Sequence, residues 1–96
     1  MIHDALRTVR IRIEGRVQGV GFRAFVEREA RSCRIDGFVR NRRDGGVEIV
    51  ARGMLDDVDA FSKSCAKGPF GARVDMCKVI DDEAHVDDGF VVASTV

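Results

Sequence analysis

From Arg7 to Glu14 the chain alternates, with Val9, Ile11 and Ile13 on one parity and Arg10, Arg12 and Glu14 on the other. Successive side chains of a strand leave opposite faces, so this period of two predicts a half-buried strand. A glycine-rich run follows, Gly15-Arg16-Val17-Gln18-Gly19-Val20-Gly21-Phe22-Arg23, and beyond it the period changes. Phe22, Val26, Ala30 and Cys33 recur at steps of four, four and three, one face of a helix, with Glu27, Arg28 and Arg31 off that face. About three turns are predicted. Gly37 to Asn41 and Val47 to Arg52 return to strand patterning on either side of Arg42-Arg43-Asp44-Gly45-Gly46. Asp-Gly between two such runs marks an antiparallel hairpin, because the turn needs positive φ.

Gly53 breaks this pattern, and Leu55, Val58, Phe61 and Cys65 begin a second helical stripe. Asp56 and Asp57 near its start and Lys63 and Lys67 near its end match the helix macrodipole, and Gly68-Pro69-Phe70-Gly71 ends it. A fourth strand is predicted from Ala72 to Ile80. Its alternation slips, Val74 and Met76 on one parity and Cys77 and Val79 on the other, which predicts a bulge or register change. The acidic stretch from Asp81 to Asp88 reads as an exposed loop, and Phe90-Val91-Val92-Ala93 as a short last strand. The order βαββαβ, with one strand added, predicts an α+β sandwich: a four-stranded antiparallel sheet with both helices on one face. The first strand then lies inside the sheet and delivers the glycine run at its C-terminal end.

At 96 residues the chain is read as one domain over 1–96 with a single modest core. Apolar residues come in short runs, none near the roughly 20 that a membrane helix needs. The N-terminus lacks the apolar run of a secretory signal, so a cytoplasmic location and no membrane partner are expected. Cys33, Cys65 and Cys77 are odd in number and lack Cys-x-x-Cys spacing, which suits small buried hydrophobes better than a disulfide framework or zinc site. His3 and His85 have no partner at metal-ligand spacing and are read as surface residues. No metal or other cofactor is expected. The net charge is zero but uneven: 12 Lys+Arg against 7 Asp+Glu through Gly53, then 4 against 9. Such an asymmetry can set a positive face beside the glycine run that steers anions, or can be no more than a solvated surface.

Gly15, Gly19 and Gly21 let the backbone turn tightly and present successive N–H groups, a geometry suited to an anion. Arg23 adds a permanently charged planar fork where the helix dipole already favours negative charge. A phosphate cradle is one reading, and a loop that only turns the chain is the other. Gly19-x-Gly21-x-x-Ala24 satisfies a loose dinucleotide fingerprint, but the next strand turns straight back through Asp44-Gly45, so the parallel βαβ units that fingerprint needs are not predicted. No Gly-Lys-[Ser/Thr] follows the loop, so a nucleotide-hydrolase phosphate loop is not indicated either. Asn41, at the end of its strand, can approach the start of the first helix and position a water there, or can be a turn residue.

Gly15-Arg-Val-Gln-Gly-Val-Gly-Phe-Arg23 followed by Gly37-Phe-Val-Arg-Asn41-Arg-Arg-Asp44-Gly45-Gly-Val47-Glu48 closely resembles the two signature stretches of the acylphosphatases. The resemblance extends to Gly68-Pro69 and Ala72-Arg-Val74 and so covers nearly the whole chain. It implies a ferredoxin-like fold and metal-independent hydrolysis of acyl phosphates to a carboxylate and inorganic phosphate. By matching positions it implies Arg23 as the phosphate-binding arginine and Asn41 as the residue that orients the attacking water. The phosphate is implied to sit among Arg16, Val17, Gln18, Gly19, Val20, Gly21, Phe22 and Arg23, on their main-chain amides. Phe38 departs from the tryptophan or tyrosine frequent there.

An acyl phosphate is a mixed anhydride with a weakly basic carboxylate leaving group, so charge neutralisation and alignment can supply most of the catalysis. Direct attack by water is then the economical route. A second reading is a non-catalytic module for carbamoyl phosphate or another anion, since the same signature opens the large carbamoyltransferases of hydrogenase maturation. The end of the chain at Val96 favours a free-standing enzyme, and nothing in the sequence demands more than a monomer. A third is an RNA-binding ferredoxin-like domain, which stacks bases on exposed sheet aromatics. The first strand instead carries Arg10, Arg12 and Glu14, and the chain has no Trp or Tyr, so acyl phosphate and phosphate are the expected partners and nucleic acid is not.

Overall fold

A computed structural model of the chain describes residues 5–96; His3 lies outside them. The elements are β1 (Leu6–Arg16), α1 (Phe22–Ser32), β2 (Asp36–Asn41), β3 (Val47–Met54), α2 (Leu55–Lys67), β4 (Arg73–Asp81) and β5 (Phe90–Val92). They form two helices on one sheet of order β4-β1-β3-β2-β5, a ferredoxin-like βαββαβ arrangement with β1 inside the sheet. β1 pairs antiparallel with β3 and β4, and β2 antiparallel with β3. β5 adds a parallel edge to β2, so the complete sheet is mixed. The direction follows from the route of the chain. β4 ends at Asp81, level with Val9, while β5 starts at Phe90, level with Gly37. Having crossed the sheet at this level, the chain can only run alongside β2.

The alternation of β1 is realised in full: Val9, Ile11 and Ile13 are completely buried. Phe22, Val26 and Ala30 of α1 and Val58, Phe61 and Cys65 of α2 cover them, each helix burying the stripe its periodicity marks. Leu55, placed on the second stripe by its spacing, is half exposed, because it opens the helix before the first turn reaches the sheet. Phe61 meets Phe90 edge to face at 6.1 Å, which ties β5 into the same core. Burying one such side chain contributes about 1.5–3 kcal/mol. β3 continues through Gly53 to Met54, because Leu6 and Arg7 of β1 supply it with pairing partners there.

The slip of parity in β4 is a bulge. Glu14 faces Met76 but Gly15 faces Val74, leaving Asp75 as the extra residue. Val74, Cys77 and Val79 thereby share the helix-side face of the sheet. All three cysteines are free, and burial pushes their thiols up. Neither helix is long and apolar enough to cross a membrane.

The acidic segment is more than an exposed loop. Asp82 accepts from Arg10 at 2.7 Å and Asp88 from Arg52 at 3.3 Å, while Val86 between them is buried. Arg10 and Arg52 alternate with the buried Val9, Ile11 and Ala51, so they leave the sheet on the face away from the helices. Residues 82–89 are a strap from one sheet edge to the other.

Candidate active site

The glycine run leaves β1 at Arg16 and enters α1 at Phe22. Val17 is 1% exposed and Val20 packs against the core, so these two valines anchor the loop from beneath. Between and after them, Gly19 and Gly21 take φ of 75° and 76°, left-handed values that a Cβ makes costly. Gly21 is the N-cap of α1, with no side chain capping the helix and no acidic residue in its first turn. Among the described residues, no main-chain N–H from Gln18 to Ala24 donates to another main-chain group. A helix N-terminus with free donors is a favourable place for an anion.

An open cleft of about 340 Å³ lies over this arc, at the small end of ligand-sized clefts. Val17, Gln18, Gly19, Gly21, Phe22 and Arg23 line it from the loop side, and Asn41 closes it from β2; Ala24, Glu27 and Val92 complete the rim. Arg16 and Val20 are not in its wall. Arg16, the last residue of β1, pairs with Arg73 in β4 and is exposed, and the Val20 side chain is taken up by the core. Gly15 belongs to the strand opposite the β4 bulge and takes no part in the arc.

Arg23 is partly exposed and makes no ion pair among the described residues, although Glu27 shares the cleft wall. Glu27 is occupied by Arg31, one turn further on, at 3.0 Å. Most other arginines of the sheet are engaged. Arg10, Arg40 and Arg42 converge on Glu48, Arg12 pairs with Asp44 and Glu14, and Arg52 with Asp36 and Asp88. The basic excess of the N-terminal half is thus largely neutralised on the helix-free face, while Arg16, Arg23 and Arg43, at the loop end of the sheet, have no ion-pair partner among the described residues.

Asn41 is a strand residue, not part of the turn. It pairs with Val47 of β3, and its carbonyl accepts from the Val96 N–H at 3.3 Å, so β3 and the segment after β5 hold it from both sides. The turn itself runs from Arg42 to Gly46. Arg42 N–H donates to the Gly46 carbonyl at 2.8 Å, and Asp44 accepts from Gly46 N–H at 3.0 Å and from the Arg12 guanidinium at 2.9 Å. Arg12, and after it the Gly46 N–H, holds the Asp44 carboxyl below the usual carboxylate range.

One contact escaped the sequence reading. The Gln18 carboxamide Nε2 donates to the carbonyl of Arg42 at 2.7 Å and to that of Gly46 at 2.9 Å, joining loop to hairpin. Gln18 entered the reading only through its main chain. No fixed spacing points to such a contact, which links positions 24 and 28 residues apart. The nearest signal is a lone long amide within a glycine run.

The sequence profile of the acylphosphatase family matches residues 9–92. An acylphosphatase of Rhizorhabdus wittichii is 44% identical over 87 residues, covering 91% of this chain and 88% of that protein. One from Azorhizobium caulinodans is 46% identical, covering 93% of this chain and 97% of that protein. The crystal structure of the Bacillus subtilis acylphosphatase superposes with a TM-score of 0.87 at 36% identity, over 93% of this chain and 99% of that one. Full-length HypF in its phosphate- and nucleotide-bound form superposes with a TM-score of 0.86 at 31% identity, over 96% of this chain but 12% of that one. With one profile running through both the glycine loop and the hairpin strand, and with relatives matched along nearly their whole length, the chain belongs to the acylphosphatase family.

Proposed function

We propose that this protein hydrolyses acyl phosphates at the cleft between the glycine loop and β2. The single observation that carries the proposal is the shared cleft wall: a guanidinium with no ion pair among the described residues, uncapped main-chain donors and the amide side chain of Asn41 meet around one small volume. In this reading the loop amides and Arg23 surround the phosphoryl oxygens and offset the charge that spreads over them in the transition state. Asn41 orients a water in line with the bond to be broken. The water oxygen bonds to phosphorus, the bond from phosphorus to the carboxylate oxygen breaks, and its electron pair leaves with the carboxylate. The water proton passes to a phosphate oxygen of the substrate. No side-chain nucleophile takes part and no metal is required, because the carboxylate departs without protonation.

The arginines of the helix-free face are bound to carboxylates, and its Phe38 lies under Arg40 at 4.6 Å, so that face offers little to a nucleic acid strand. Three free thiols suit a reducing compartment, and we assign the enzyme to the cytoplasm as a monomer. Light scattering on the purified chain checks the latter.

Turnover of benzoyl phosphate in excess chelator tests the assignment. Arg23→Ala should lower kcat/KM by at least ~10², since a contact to the transferring phosphoryl group is worth about 3 kcal/mol. Asn41→Ala should lower kcat far more than it weakens inhibition by inorganic phosphate. Activity abolished by chelation, or unchanged in Arg23→Ala, contradicts the mechanism. Tight phosphate binding without turnover points instead to an anion-binding module.

A further inference from the structure

We propose that the Gln18 side chain is a positioning residue for Asn41: it fastens the glycine loop to the β2–β3 hairpin and so fixes where Asn41 stands above the bound phosphoryl group. The inference rests on the acyl-phosphate reading of the cleft. Its basis is a two-pronged contact. Gln18 Nε2 donates to the carbonyls of Arg42 and Gly46 at 2.7 and 2.9 Å, and these carbonyls form the mouth of the turn that begins one residue after Asn41. Each also accepts a main-chain N–H, from Gly45 and Arg42 respectively. A primary amide has two protons and each carbonyl two lone pairs, so the set closes without an unmet donor. The contact is partly buried, which limits competition from water.

The other restraints on the hairpin come from elsewhere. Arg12 holds Asp44, Glu48 holds Arg42, and the Val96 main chain holds Asn41 and Arg43. Each fixes the hairpin to the sheet or to the segment after β5. Among the side-chain hydrogen bonds of the described residues, only those of Gln18 join the hairpin to the loop that cradles the phosphate. The two groups that must share one water, Asn41 and the phosphoryl group, therefore sit on walls coupled through this carboxamide.

Gln18→Ala should lower kcat for benzoyl phosphate at least ~10-fold, because a misplacement of about 1 Å can cost up to ~10². Arg23 and the loop amides are untouched, so inhibition by inorganic phosphate should change little. In an Asn41→Ala background the same substitution should cost no more than about 2-fold, the spread expected when nothing remains to couple. An equal loss in both backgrounds, or a loss of phosphate affinity in place of kcat, overturns the proposal. Gln18→Glu keeps the length but sets a carboxylate against two carbonyls. Its kcat should recover as pH falls and the acid regains one donor, and a profile parallel to the wild type also overturns it. A readout independent of turnover separates the two readings: inorganic phosphate should shift the Gly45 and Gly46 amide resonances in the wild type and not in Gln18→Ala or Gln18→Glu. Wild type that shifts these resonances without turnover sinks the enzyme assignment alone. Turnover with identical shifts in wild type and variants sinks the role of Gln18 alone.

Discussion

Gly19 separates two demands that loops of this kind usually combine, room and backbone shape. A Cβ built there meets nothing within 4 Å, yet φ is +75°. Gly19→Ala should therefore keep the fold and lose about 1–2 kcal/mol in urea unfolding, the cost of a left-handed alanine. If the loop relaxes to relieve that strain, its N–H groups move, and phosphate inhibition should weaken by more than the stability loss alone explains. Unchanged phosphate inhibition beside that stability loss means that the loop bears the strain without moving its N–H groups. The place of Arg23 at the cleft and the left-handed turns at Gly19 and Gly21 were legible in the sequence because permanent charge and positive φ are properties of single residue types. The Gln18 contact was not, because it depends on two carbonyls more than twenty positions away, and main-chain acceptors leave no residue-specific trace.

At the scale of elements, periodicity located both helices and every strand, and it foretold the irregularity in β4. It did not foretell what the bulge does. With Asp75 extra, β4 bends so closely over β1 that a Cβ on Gly15, at φ of +134°, would run into the Arg73 carbonyl. Gly15→Ala should thus cost roughly 3 kcal/mol or more through strain and overpacking, well beyond Gly19→Ala. Chemical denaturation of the two variants side by side checks the contrast, and similar losses mean that the bulge yields. The parallel pairing of β5 was also hidden, since Phe90-Val91-Val92 has strand character but nothing in three residues states a direction. That information lies in the segment before it, whose eight residues bridge four inter-strand spacings, roughly 19 Å.

The uneven charge of the two halves becomes intelligible only for the whole molecule. Arg10 and Arg52 from the basic half bond to Asp82 and Asp88 from the acidic half, so the asymmetry closes the chain upon itself across the helix-free face. Counting charges showed the imbalance; only the topology, which carries the strap across the sheet, shows where it is spent. The pH dependence of stability follows. The Asp82 carboxyl is held below its ordinary value, first by the Arg10 hydrogen bond and then by the Ala84 N–H, and Asp44 likewise by Arg12 and Gly46. A carboxyl whose folded value is depressed binds its proton more readily in the unfolded chain. Its stabilising effect is therefore fully present above the unfolded value of about 3.9 and is lost as pH falls through the folded value. The urea midpoint should be nearly flat from neutral pH to about 5 and should drop below about 4. Asp82→Asn should lower the midpoint at neutral pH and flatten the acid limb, because the variant has no proton left to gain there. An acid limb as steep as the wild type's would mean that the Arg10–Asp82 pair contributes nothing to the closure of the strap, which Val86, the backbone and the Arg52–Asp88 pair then hold.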